Sequence, residues 1–216
     1  MSSSEEARLR EDLCHFGQSL FDRGLTAGSS GNLSLRLPEG GWLMTPTNAS
    51  LGRLDPARLS KIAPDGRLVS GDPPTKELPL HAAVYDVRGR ANAIVHLHSH
   101  YSVAVSLLKE VDRRSVLPPL TAYYVMRVGR VPLVPYFRPG DPAVAETIRG
   151  LAGQHAAVLL ANHGPVVSGD SLKAAVDSVE EFEATARLFL DLAGKPVQAL
   201  DDAQIQDLIR VFGAEW

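Results

Sequence analysis

Ala93-Ile-Val-His-Leu-His98 combines the apolar pattern of a buried strand with two histidines two residues apart. Successive side chains of a strand point to opposite faces, so His96 and His98 share one face. Two neighbouring imidazoles buried without a common partner would be costly, and this favours a shared ligand such as a metal ion. The stretch therefore predicts a buried strand that offers two nitrogen ligands.

A third imidazole would complete an open catalytic zinc site, which keeps one position for water or substrate. His163 follows a second apolar strand pattern, and Gly164 behind it permits a sharp turn that could aim the ring back at the sheet end. His100 would point to the same face as His96 and His98 if the strand continued, but it lies where a helix is expected to begin. Spacing alone does not select the third ligand.

Glu77 lies at the predicted start of a helix, where its carboxylate could serve as a fourth ligand or as a general base. His81 lies four residues later on the same helical face and could support the site, although a purely structural role is the simpler interpretation. His15 and His155 fall in a helix and a loop, without a chemical role that the pattern supports.

The rest of the chain alternates irregularly between strand and helix patterns. Gly31 and Asn32 fall in the loop before the first hairpin. Several hairpins interleaved with helices favour a layered α/β or α+β sandwich over a regular parallel wound sheet. The patterns predict strands at 33–37, 42–44, 61–63, 67–69, 122–126, 131–134 and 156–161, and helices at 4–23, 75–88, 101–108, 141–151, 171–192 and 201–212.

The composition, with 44% hydrophobic and 22% charged residues in 216, is that of a globular protein, and we expect a single domain over residues 1–216. With one cysteine and seven histidines, any metal must be held by His, Asp or Glu. A net charge of −3 argues against nucleic-acid binding through a basic face. The chain shows neither a signal-peptide pattern nor an apolar run near the ~20 residues that span a bilayer, so we expect no membrane association and a cytoplasmic location.

Five short motifs follow one another along the chain: Gly28-Ser-Ser-Gly-Asn32, Thr45-Pro-Thr47, Pro74-Thr-Lys-Glu77, Val95-His-Leu-His-Ser99 and Ala161-Asn-His-Gly164. In this order they resemble the class II aldolase and adducin family, which includes fuculose-phosphate aldolase, rhamnulose-phosphate aldolase and ribulose-phosphate 4-epimerase. The resemblance implies a zinc-dependent enzyme with a central, mainly antiparallel sheet flanked by helices. It also implies a homotetramer of fourfold symmetry with active sites between subunits.

Matched position by position, the resemblance assigns Zn²⁺ binding to His96, His98 and His163, with Mn²⁺ or Co²⁺ as other possible cations. It assigns Glu77 as an acid/base that also approaches the metal. Glycine loops together with hydroxyl, amide and ammonium donors suit an anion. The implied phosphate-binding positions are Gly31, Asn32, Thr47, Asn48, Thr75 and Lys76.

Two of these positions depart from the family pattern. The chain has Thr47-Asn48 where the aldolases commonly have Thr-Gly, which questions the loop geometry there. It has Thr75-Lys76 where they have Ser-Ser, and the lysine adds a positive charge suited to an anionic ligand.

Longer segments resemble one branch of the family, the 3-oxo-tetronate 4-phosphate decarboxylases. In that branch the proton donor is a tyrosine that corresponds to Tyr123. Tyr124 is the alternative candidate and would point to the opposite face if the segment is a strand. Arg127 and Arg138 are candidates for holding the substrate carboxylate. The segments are Leu51-Gly-Arg-Leu-Asp55, Ser70-Gly-Asp-Pro-Pro-Thr-Lys-Glu77, Thr121-Ala-Tyr-Tyr-Val-Met-Arg127 and Val131-Pro-Leu-Val-Pro-Tyr-Phe-Arg-Pro-Gly-Asp141.

The implied function is decarboxylation of a phosphorylated sugar acid, a 3-oxo-tetronate 4-phosphate, to dihydroxyacetone phosphate and carbon dioxide through a metal-stabilised enediolate. A class II sugar-phosphate aldolase of the fuculose-phosphate type, or a pentulose-phosphate 4-epimerase, would use the same metal site with a different bond broken. A non-catalytic module like the adducin head is a further alternative. The presence of all three histidines and Glu77 argues against that last one.

Overall fold

The computed structural model describes residues 3–216, which contain eight strands and seven α-helices. Two short 3-10 helices span Leu51–Arg53 and Pro56–Arg58. The strands are β1 (Asn32–Arg36), β2 (Trp42–Met44), β3 (Ser60–Ile62), β4 (Leu68–Ser70), β5 (Ala93–His96), β6 (Leu133–Val134), β7 (Ala157–Leu160) and β8 (Gly164–Gly169). The helices are α1 (Ser3–Asp22), α2 (Leu78–Val87), α3 (His100–Ser106), α4 (Ala122–Arg127), α5 (Ala143–Ala152), α6 (Leu172–Asp191) and α7 (Asp202–Phe212).

All eight strands form one sheet in the order β4-β3-β2-β1-β5-β8-β7-β6. Neighbouring strands are antiparallel except for the parallel pair β6 and β7. The strand at Ala93–His96 therefore lies between β1 and β8, and its four residues are buried as the apolar run predicted. It ends two residues before His98, the expected end of the strand. The expected layered α/β (α+β) sandwich with a mainly antiparallel sheet is confirmed.

Helices cover both faces of the sheet. One hydrophobic core joins buried residues of α1, α3, α4 and α6 to the strands, and a second core joins α2 and α5 to the opposite face. In β5, Val95 belongs to the first core and Ile94 to the second, as the period of two requires. By the same alternation His96 lies on the α2 side. Helix α7 packs outside, against α4.

Several boundaries differ from the predictions, and one element type is wrong. Residues 122–126, predicted as a strand, form helix α4, whose N-cap Thr121 accepts a hydrogen bond from the Tyr124 backbone N–H. Tyr124 and Val128, one helical turn apart, pack in the core, and this tertiary packing overrides the strand preference of the local sequence. Strand β8 was not predicted, and Asn32 is the first residue of β1 and not part of a loop.

Helix α2 begins at Leu78, three residues later than predicted, and Pro79 falls in its first turn. Glu77 is the N-cap residue, so its side chain projects from the helix start. Across residues 3–216, none of the helices has the length and apolar content needed to cross a membrane.

Candidate metal centre and active site

Three segments that are distant in sequence meet at one end of the sheet. His96, the last residue of β5, pairs with Asn32 at the start of β1 and with Val166 in β8. The turn of residues 161–163 joins β7 to β8 and carries His163. Antiparallel pairing thus places the end of β5 beside the start of β1 and beside the β7–β8 turn.

The Nε2 atoms of the three predicted histidine ligands converge. His96 Nε2 lies 3.1 Å from His98 Nε2 and 3.3 Å from His163 Nε2. The His96 Nδ1–H donates to the carbonyl oxygen of Pro165 at 2.8 Å, because a carbonyl can only accept. The Nε2 lone pair of His96 therefore faces the other two rings. Nothing in the sequence pattern indicated the role of the Pro165 carbonyl.

The arrangement fits a divalent cation. Zn–N bonds of about 2.0–2.1 Å in a tetrahedron would hold the nitrogens roughly 3.3–3.4 Å apart, close to the distances found here. The ligand atoms of His96, His98 and His163 all lie within 4.8 Å of one another. Glu77 adds a carboxylate, with Oε2 at 3.2 Å from His96 Nε2 and Oε1 at 3.5 Å from His163 Nε2.

Protonation states in the cluster also suit a cation. Burial raises the pKa of Glu77, but His96, the Asn32 amide and His163 outweigh it and bring that pKa to about 2. Burial, with His96 acting in the same direction, lowers the pKa of His98 and of His163 to about 4. At neutral pH His98 and His163 are therefore neutral and Glu77 is ionised, which are the forms that bind metals.

The two segments that carry Thr47 and Thr75 run side by side beside Glu77. The Thr47 backbone N–H donates to the Pro73 carbonyl at 2.9 Å, and the Thr75 N–H donates to the Thr45 carbonyl at 3.2 Å. The Thr75 hydroxyl accepts from the Glu77 N–H at 3.2 Å. The structure thus joins two of the predicted phosphate segments to the start of α2.

Gly31 and Asn48 have positive φ angles of 81° and 57°. A Cβ on Gly31 would lie 3.1 Å from the His96 carbonyl oxygen, so the glycine lets β1 approach the histidine strand. Asparagine tolerates the left-handed region better than most residues. Asn48 therefore supplies a conformation that a glycine would also adopt, which removes the geometric objection to Asn at that position.

Asn32 lies closer to the carboxylate than its predicted phosphate role suggested. Its Nδ2 donates to Glu77 Oε2 at 2.7 Å, and its Oδ1 contacts His81 Nε2 at 2.5 Å. His81 in turn contacts the Ser34 hydroxyl. Sequence reasoning missed Ser34, because the alternation of leucines in β1 marks its polar positions as solvent-facing.

A pocket opens beside the cluster and is bordered by Glu77 and His163. Lys76, Arg138 and Asp141 line it together with apolar side chains. The apolar lining comes from Pro79, Leu80, Pro135, Phe137, Pro139, Val144 and Leu160. Of the two arginine candidates, Arg138 lies at this pocket, whereas Arg127 pairs with Asp177 at 3.5 Å on α6.

Tyr123 is not brought to the cluster within one chain. It is 58% exposed on α4, with the Arg127 guanidinium 5.4 Å from its ring centroid. In the described chain it is absent from the linings of both pockets that His163 borders. Its rival Tyr124 is fully buried in the core.

The Class II Aldolase and Adducin N-terminal domain family matches residues 11–190. The chain therefore belongs to the class II aldolase and adducin family. Over 203 residues it is 50% identical to the 3-oxo-tetronate 4-phosphate decarboxylase of Escherichia coli K12, covering 94% of this chain and 96% of that protein. It is 31% identical over 193 residues to the L-fuculose phosphate aldolase of Escherichia coli K12, covering 88% of this chain and 86% of that protein.

The crystal structure of YgbL from Escherichia coli is similar to this fold throughout. The two superpose with a TM-score of 0.92 at 49% sequence identity, covering 94% of this chain and 98% of that chain.

Proposed function

We propose that the chain is a metal-dependent carbon–carbon lyase that decarboxylates a 3-oxo-tetronate 4-phosphate to dihydroxyacetone phosphate and carbon dioxide. The convergence of three histidine Nε2 atoms and the Glu77 carboxylate at one sheet end carries this proposal. The 50% identity to a protein named for this reaction supports the choice of substrate.

The reaction breaks the bond between C1 and C2, releases C1 as carbon dioxide and leaves an electron pair shared between C2 and the C3 oxygen. A proton must then reach C2. A divalent cation at the cluster would supply positive charge where that negative charge develops. Zn²⁺ is the proposed ion because three imidazoles and a carboxylate suit it, with Mn²⁺ and Co²⁺ as alternatives.

Glu77 is the group proposed to move protons at the reacting carbon. Its carboxylate borders the pocket, is ionised, and is held by the Asn32 amide. An ionised carboxylate beside the reacting carbon can accept a proton and return it. In this scheme the substrate phosphate contacts Gly31, Asn32, Thr47, Asn48, Thr75 and Lys76. Arg138, which lines the pocket, is the proposed partner of the substrate carboxylate.

Tyr123 is the proposed proton donor, and it would act in the site of a neighbouring copy. An exposed tyrosine outside the pockets of its own chain can reach a reacting carbon only across an interface between copies. The proposal therefore includes a homo-oligomer, with the fourfold tetramer of the family as its form.

Two substrates test the proposal directly. The purified protein, with its bound metal quantified, is incubated with a 3-oxo-tetronate 4-phosphate and separately with L-fuculose 1-phosphate. We expect carbon dioxide from the first and no aldehyde from the second. Aldehyde from the sugar phosphate without carbon dioxide from the acid would identify an aldolase, and a protein without bound metal or turnover would identify a non-catalytic module.

A further inference from the structure

A row of four polar side chains lies buried between β1 and α2 and ends at Glu77. Tyr85, Ser34, His81 and Asn32 are each at most 6% exposed. The Ser34 hydroxyl contacts Tyr85 OH at 2.9 Å and His81 Nδ1 at 2.7 Å. His81 Nε2 contacts Asn32 Oδ1 at 2.5 Å, and Asn32 Nδ2 contacts Glu77 Oε2 at 2.7 Å. Each member of the row thus touches the next.

The chemistry of the groups sets the direction of every bond in this row. A carboxylate only accepts hydrogen bonds, so the Asn32 amide must present its N–H to Glu77 and its oxygen to His81. His81 must then donate through Nε2–H. In the neutral ring its Nδ1 is an acceptor, which requires the Ser34 hydroxyl to donate to it and to accept from Tyr85.

Burial supports this assignment. It lowers the pKa of His81 to about 3, although the Glu77 charge acts in the opposite direction, and the ring is neutral as the row requires. It also raises the pKa of the Tyr85 hydroxyl, which keeps its proton. All bonds of the row therefore point toward Glu77, and hydrogen bonds aligned in one direction polarise one another.

Glu77 has two oxygens that are not equivalent. Oε2 receives the Asn32 bond and lies 3.2 Å from His96 Nε2, while Oε1 faces His163. Loss of the Asn32 bond would let the carboxylate rotate between these contacts. The backbones of Glu77 and His81 are also joined directly, because the His81 backbone N–H donates to the Glu77 carbonyl oxygen at 3.1 Å within the first turn of α2.

We infer that His81 is a positioning residue, which fixes the orientation of the Glu77 carboxylate through the Asn32 amide. The inference rests on the proposed role of Glu77 in proton movement. If the row from Tyr85 to Asn32 served core packing alone, it would not need to end on Glu77, the proposed acid/base.

Two substitutions at position 81 test the inference. His81→Leu removes the donor to Asn32, and we expect kcat to fall about 10- to 100-fold with KM changed less than about threefold. His81→Gln keeps an amide N–H near the position of Nε2, so we expect it to recover kcat to within about tenfold of wild type. Wild-type kcat in His81→Leu would overturn the inference, as would equally low kcat in both variants.

Tyr85→Phe is the matched control, because it deletes a buried polar atom of the same row without touching the His81–Asn32 bond. We expect its kcat to stay within about threefold of wild type, since neutral hydrogen bonds at this distance contribute little. A loss equal to that of His81→Leu would show that general core disruption is responsible. Thermal unfolding midpoints of all three variants separate stability from kcat.

A measurement without substrate keeps the inference testable if His81→Leu does not fold, and it separates the inference from the proposed function. Nitrogen-15 NMR of the wild-type side chain should show a neutral imidazole with its proton on Nε2. A proton on Nδ1, or on both nitrogens, would overturn the inference whatever the enzyme cleaves. If the wild-type protein releases no carbon dioxide, the proposed function fails, and the kcat comparison is made on the substrate that it does cleave.

Discussion

Replacing Gly164 by alanine should separate His163 from the other two histidines. A Cβ at this position would lie 2.1 Å from the Leu97 carbonyl oxygen and 3.3 Å from His98 Cα. Ordinary carbon–oxygen contacts are about 3.3 Å or longer, so the turn after β7 must move by roughly 1 Å away from the β5 end. His163 precedes the glycine directly and must move with it.

The expected magnitudes follow from this displacement. Metal–ligand distances tolerate deviations of about 0.2 Å, so a shift of roughly 1 Å removes one of the three imidazoles from the metal. Overpacking of this kind costs about 1–3 kcal/mol in the free energy of unfolding. A catalytic group misplaced by about 1 Å costs on the order of 10²-fold in rate.

Bound zinc is measured by mass spectrometry after dialysis against a zinc buffer, and stability is measured by urea unfolding. Gly150→Ala is the matched control, because Gly150 lies in α5 with no atom within 4 Å of the added Cβ. The control should bind zinc normally and be more stable by about 0.5–1 kcal/mol. Wild-type zinc affinity and an unchanged urea midpoint in Gly164→Ala would refute the steric reasoning.

Three further predictions concern separate groups. Glu77→Gln should lower kcat by about 10²- to 10⁴-fold, and wild-type carbon dioxide release with zinc bound would contradict its acid/base role. Glu77→Gln and Tyr123→Phe should each be nearly inactive alone. If Tyr123 acts in a neighbouring copy as proposed, mixing and reassembling the two variants should restore activity in about a quarter of the sites. No recovery would argue against shared sites. Glu6→Gln should lower the free energy of unfolding by about 0.5–1 kcal/mol at pH 7, measured in urea. The Lys61 and Arg10 contacts lower the pKa of Glu6 in the folded chain. The stabilisation by Glu6 is therefore fully present above the unfolded pKa of about 4.3 and should disappear as pH falls through the folded pKa. A stability difference between the variant and the wild type that persists in acid would contradict this prediction.

The central part of the fold followed from sequence because its signals are local. The apolar run that ends at His96 and His98 predicted a buried strand, and the strand lies at the centre of the sheet. His98 lies two residues past the end of β5 and is exposed, yet its Nε2 still lies beside that of His96. His163 could be nominated only by family resemblance, since the β7–β8 turn becomes a neighbour of β5 only through strand pairing.

The errors came where distant contacts decide the structure. Residues 122–126 carry strand-forming side chains, but packing of Tyr124 against Phe182 on α6 and the cap at Thr121 hold them in a helix. The strand pattern of β1 gave no sign that α2 covers its polar positions. Ser34 is buried there because His81 and Tyr85 supply its partners from a segment 47 to 51 residues away.

The charges that line the pocket explain why basic side chains alone would not retain the proposed substrate. Lys76 and Arg138 line the same pocket as Glu77 and Asp141, so the two positive charges are matched by two negative ones. A phosphate carries about −1.5 to −2 at neutral pH, and a carboxylate adds one more negative charge. In the proposed function, a divalent cation held by His96, His98 and His163 would supply the further positive charge.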